Sequence, residues 1–208
     1  MGGFMIRAAL LCGLVGHLLC WYCDILLTYT PGHRFHAEHI KDNAKLAEVF
    51  SDLDPKRAMR SLLLGVAAIT LEVIGLAGIA CWMYAFSPVC AVIIAVSAVV
   101  FGGFGSAHHV ICAFLEWMYV KQNRTEESRV LILEFFKKTA VTMIVCYIGL
   151  LLASGTLLYA VLSGMTSLPC WAAIFNLLPA FAVLMPLRTA GAGNIAGAFM
   201  FAGLLFLI

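Results

Sequence analysis

Residues 89–119 read VCAVIIAVSAVVFGGFGSAHHVICAFLEWMY. No Asp, Glu, Lys or Arg occurs in this stretch before Glu116. A helix needs about 20 apolar residues to cross a bilayer, and this run exceeds that. A soluble core helix is shorter and carries a polar face. The run therefore reads as a transmembrane helix, and it raises a question of its own. His108, His109 and Glu116 lie inside it, and an ionisable group at bilayer depth costs about 3 kcal/mol or more.

The rest of the chain follows the same pattern. It has 208 residues, 63% hydrophobic and 12% charged, with a mean hydropathy of +1.00. A soluble domain carries about 25% charged residues. The net charge of +2 leaves no footprint for a nucleic-acid partner. Six spans are expected, at about 4–28, 60–86, 89–119, 137–163, 168–187 and 190–208, in a single all-α integral membrane domain over 1–208. The last two, parted by Arg188 and Thr189, form a tight helical hairpin. The N-terminal stretch has the outline of a signal peptide. It lacks a small-x-small cleavage site, however, and reads as a first helix that stays.

Helix borders are marked by N-caps. Asp54-Pro55 places a cap before a proline at the first helical position, and Ser87-Pro88 does the same. Thr125, followed by Glu126 and Glu127, starts another helix with negative charge at the positive end of its dipole. Residues 33–53 carry Leu46, Val49, Phe50 and Leu53 at helical spacing among charges. They read as a short amphipathic helix on the cytoplasmic membrane surface.

Every Lys and Arg except Arg7 falls in or beside the connections after the first, third and fifth spans. The positive-inside rule then puts those connections in the cytoplasm and both termini outside, in a bacterial inner membrane.

Six ionisable residues lie within the spans: His17, Asp24, Glu72, His108, His109 and Glu116. At about 100° per residue, Gly13, His17, Cys20 and Asp24 share one helix face. Gly65, Ala68 and Glu72 share another, and Gly102, Gly105, His109, Cys112 and Glu116 a third. Each face joins small residues to ionisable ones, so the three faces are expected to meet around a polar pocket. That pocket is either a site or a packing network. As a site it would carry protons or bind a small lipophilic or cationic molecule, with the carboxylates as counter-ions and His108 or His109 as proton carrier. An intramembrane acid/base enzyme using His109 and Glu72 is the second functional reading, and a structural or accessory protein the third. Membrane lipids are the expected surroundings, and alternating access would call for a homodimer, because no internal repeat is visible.

Other patterns count for less. Cys20-Trp-Tyr-Cys23 is a C-x-x-C, but Cys81 and Cys90 fall on the opposite side of the membrane, which argues against thiol relay. His108 and His109 point about 100° apart and do not face one metal ion easily. Asn194, at the start of the last span, reads as an interhelical hydrogen-bond donor. His33, His36 and His39 read as one solvated face. His17 with His108 or His109 leaves a metal or haem site open, and any cofactor stays unknown from the sequence.

The segments CDILLTYTPG (23–32), GSAHHVICAF (105–114) and GNIAGAFMFAGLLFLI (193–208) resemble a family of small bacterial six-helix membrane proteins of unknown function. Members carry an aromatic and a small residue before Asp-x-Leu-Leu, then small-small-His-x-x-aromatic, and close on a Gly-Asn-rich apolar helix. Cys23 stands where the family has Gly, and its His falls on His108 or His109. The resemblance implies the fold and no activity. In site character alone, the chain is similar to emopamil-binding-type proteins, which also set His and acids in a helical pocket.

Overall fold

The three N-caps expected from the sequence each start a helix in the computed structural model, which describes residues 2–208. Helix α1 (Gly3–Thr28) leads into a minimal hairpin, β1 (Tyr29–Thr30) and β2 (His33–Arg34), turned at Gly32 with φ +76°. A 3-10 turn (Ala37–Lys41) and the short α2 (Asn43–Val49) follow. Asp54 then accepts from the Lys56 N–H and starts α3 (Pro55–Met83). Ser87 accepts from Cys90 and starts α4 (Pro88–Lys121). Thr125 accepts from Ser128 and starts α5 (Glu126–Thr139), which runs almost directly into α6 (Val141–Leu162). The chain ends with α7 (Leu177–Leu184) and α8 (Ala192–Leu207).

Four of these helices, α1, α3, α4 and α6, are long and apolar enough to cross a membrane. The structure departs from the expected continuous helix over 168–187. That segment is a 3-10 stretch (Cys170–Phe175), then α7, then a 3-10 turn (Met185–Leu187). Its break is built by Asn176, whose side chain caps Leu178 N–H and also donates to the Ser154 carbonyl. Residues 33–53 also differ from expectation. Asp42 caps Ala44 and Lys45, so only Asn43–Val49 is α-helical. Leu46, Phe50 and Leu53 pack against Leu115, Tyr119, Val120 and Ile132 instead of facing outwards. Helical spacing of apolar residues fits either partner, and here neighbouring helices win.

Helix α3 lies between α1 and α4; α6 packs on α4, and α8 on α1, with α7 against α8. Small residues set the closest approaches. A methyl group on Gly16 would lie 2.7 Å from the Ala68 carbonyl oxygen, and Phe201 of α8 fills the space over Gly13 and Gly75. The result is two apolar clusters. The larger one gathers Leu76, Ile94, Leu157, Met200 and Phe201 within the bundle. The smaller one sits under a cap formed by residues 35–53 and α5.

Arginine side chains that donate to backbone carbonyls tie the cap and the neighbouring connections together. Arg124 donates to Phe50 and Ser51, Arg129 to Ile40, Arg57 to Tyr29, and Arg34 to Arg188. Asn123 and Arg124 have φ near +60°. This left-handed turn is unfavourable for side-chain-bearing residues, and the bonds made by Arg124 offset part of its cost.

Candidate functional site

A cavity of about 670 Å³ lies between the two apolar clusters, on the cap side of the bundle. All six ionisable residues expected within the spans line it: His17, Asp24, Glu72, His108, His109 and Glu116. The small-residue faces do meet, as Gly65 lies under the His109 ring and Gly16 under Glu72. The enclosure is wider than three helices, however. Tyr147 of α6, Phe181 of α7, Asn194 of α8 and Phe50 of the cap also line the cavity.

Its best-ordered part is a chain of side chains across α1, α3 and α8. Asn194 Nδ2 donates to Asp24 Oδ2 at 2.8 Å. Asn194 Oδ1 lies 3.1 Å from His17 Nδ1. An amide oxygen only accepts, so the His17 proton sits on Nδ1. The same Nδ1 is 3.4 Å from Glu72 Oε1, and both side chains are 1% exposed. Glu72 is therefore paired with His17 and not with His109, the partner expected from the sequence. Phe201 packs beside the His17 ring, and Gly197 leaves room for it.

The two neighbouring histidines diverge, as their 100° offset requires. His109 Nε2 meets the Ser61 carbonyl at 3.1 Å and must donate to it. Ser61 Oγ in turn donates to the Cys23 carbonyl. His108 Nδ1 meets Thr142 Oγ1 of α6 at 3.3 Å, while that hydroxyl donates to the Thr139 carbonyl, so His108 carries its proton on Nδ1. The Cys112 thiol lies by His108 Nε2. Ser61 and Thr142 were invisible as site residues, because single hydroxyls in apolar helices are ordinary. Asn194 was visible as a donor, but nothing in the sequence names its partners.

The wall is thin on one side. Tyr147 of α6 and Met185 of α7 both line the cavity, yet are 49% and 59% exposed. Three carboxyl groups line the cavity, and of the Lys and Arg side chains only the exposed Arg188 does. Among the described residues, no three His, Cys, Asp or Glu side chains are gathered at metal-binding spacing. All eight cysteines are free.

Residues 3–207 match the Family of unknown function (DUF6796). The chain belongs to this family. The DUF6796 match spans every helix that lines the cavity, so the cavity is built wholly from the family's own domain. The chain matches no curated protein and no solved structure.

Proposed function

We propose that this chain is a polytopic membrane protein whose cavity binds, and in a transport cycle moves, a small lipophilic or cationic molecule. One observation carries the reading: the cavity gathers all six His, Asp and Glu side chains of α1, α3 and α4 and surrounds them with aromatic and aliphatic wall. A network that served packing alone would close around its polar groups. This one borders a space in the size range of small-molecule sites.

The same reading takes the chain across the membrane six times. Residues 170–187 rise roughly 30 Å as two 3-10 pieces flanking α7, close to the hydrocarbon thickness. Broken helices within a bilayer are tolerated where they are buried in protein or line a cavity. Helix α8 rises roughly 24 Å, and the turn at 188–191 supplies the rest. The basic connections then lie together in the cytoplasm, with both termini outside.

The test is native mass spectrometry of the protein released from mild detergent. Wild type is expected to carry a discrete extra mass, which Cys146→Phe, filling the cavity, and Glu72→Gln both lose. Wild type with no adduct, and variants that are merely less stable, would move the assignment to a structural role.

The contact between His17 and Glu72 supports a second reading, an intramembrane acid/base enzyme. The pair sets a carboxyl group against an imidazole beside an apolar space. Turnover of an apolar substrate in detergent, without an ion gradient, would favour it over transport.

A further inference from the structure

The hydrogen-bond inventory of the cavity wall is one-sided. His17 Nε2 is buried and has no partner, and its proton is held on Nδ1 by Asn194, so Nε2 is an acceptor. Both oxygens of Glu72, whose residue is 0% exposed, lack a hydrogen bond. Its other polar neighbour is the Cys20 thiol, a weak donor. Glu116 Oε1 is buried without a partner. It feels the charge of Arg57, but that guanidinium donates to the Leu26 and Tyr29 carbonyls instead. His109 gives its proton to Ser61, which leaves Nδ1 as an acceptor. His108 is satisfied on both nitrogens and plays no part.

Every unmet buried group on the wall therefore accepts, and the one guanidinium that lines the cavity, that of Arg188, is exposed. Protonating Glu72 or Glu116 adds one donor each and leaves acceptors in excess. Leaving a buried polar group unmet is costly, so the wall favours an occupant that brings donors. A carboxylate, phosphate, ketone or ether brings none and sets its own acceptors against these. A quaternary ammonium brings charge without N–H groups. A primary ammonium brings three N–H donors and the charge that the carboxyl groups match. The remaining wall, with Phe101, Leu150 and Phe181, accommodates a hydrocarbon chain. The thin side between Tyr147 and Met185 gives that chain a way in from the membrane.

We propose that the occupant is a primary-amine amphiphile, its ammonium group held by Glu72 and His17 and its chain directed towards α6 and α7. This rests on the ligand-binding reading above and names the ligand class.

The experiment is a titration of the full chain in non-ionic detergent with four probes that share one chain: dodecylamine, dodecyltrimethylammonium, dodecanoate and dodecanol. Tryptophan emission serves as the signal, since Trp21 packs beside Gly191 at the Asp24 end of the site. Dodecylamine is expected to bind about tenfold or more tightly than each of the others, the scale of one charge-assisted hydrogen bond. Glu72→Gln is expected to remove most of that preference while leaving dodecanol within about twofold. Equal binding of the primary and quaternary amines would overturn the donor argument, and so would dodecanoate matching dodecylamine. Four probes binding alike would leave the cavity reading standing and end this one, whereas no saturable binding by any probe would end both. If Glu72→Gln does not fold, the comparison of head groups in wild type decides alone.

Discussion

Asn194 shows how much one neutral side chain can organise. It donates to Asp24 and accepts from His17, and so it fixes which nitrogen of that histidine is left without a partner. Replacing it with Ala leaves two buried groups without their partner. Asn194→Ala is expected to lower stability by about 1–2 kcal/mol, read as a drop in the thermal midpoint in detergent. Asn194→Asp puts a second carboxyl against Asp24 and is expected to cost more. A midpoint unchanged by Asn194→Ala would show that water replaces the amide without loss. The sequence showed Asn194 as a polar residue in an apolar helix, but its partners lie far away in the chain. His17 and Glu72 were likewise readable as buried and on facing small-residue surfaces, while their pairing was not. Helix periodicity gives a face; it does not give the rotation and depth at which two faces meet.

At the scale of elements, α3 and α4 were legible because two independent signals agree, an apolar run that sets the span and an N-cap that sets its start, while α1 and α6 were legible from the apolar run alone. The broken segment at 170–187 escaped for a physical reason. Asn176 caps α7 and bonds α6 at once, and hydropathy does not register a change of helix type inside an apolar run. The packing of α1 on α3 gives the sharpest element-level expectation. A methyl group at Gly16 meets the backbone of α3, which has no flexible end to move aside. Gly16→Ala is expected to destabilise by about 1–3 kcal/mol. Gly103→Ala, with nothing within 4 Å of the new methyl, is expected to be neutral or to stabilise by up to about 1 kcal/mol through helix propensity. Thermal midpoints of the two variants, measured side by side, check the contrast.

On the scale of the whole molecule, the cap closes the cavity at one end, and α5 carries it. Arg129, hydrogen-bonded to Glu126, holds that carboxyl below the ordinary carboxylate range, and Lys138 does the same for Glu134. A carboxyl with a depressed pKa stabilises the folded state above its unfolded value, and the contribution fades as pH falls through the folded one. Acidification through the carboxylate range is therefore expected to loosen α5. Hydrogen exchange of its amides, corrected for intrinsic rates, should rise there, and Glu126→Gln should flatten part of the pH dependence. Exchange that stays constant across that range would show that the cap is held by its backbone bonds alone.

The position of α8 in the chain has a consequence for biosynthesis. Helices α1 and α3 leave the ribosome carrying His17, Asp24 and Glu72, while Asn194 follows long after them. Until α8 packs against α1, Asp24 lacks its amide donor and the space over Gly13 and Gly75 lacks Phe201. The early helices are made with an unfinished polar centre, and it is completed only when α8 docks. A chain cut before Ala192 is therefore expected to be cleaved faster by added protease than one that carries α8, and equal rates would show that the centre holds without it.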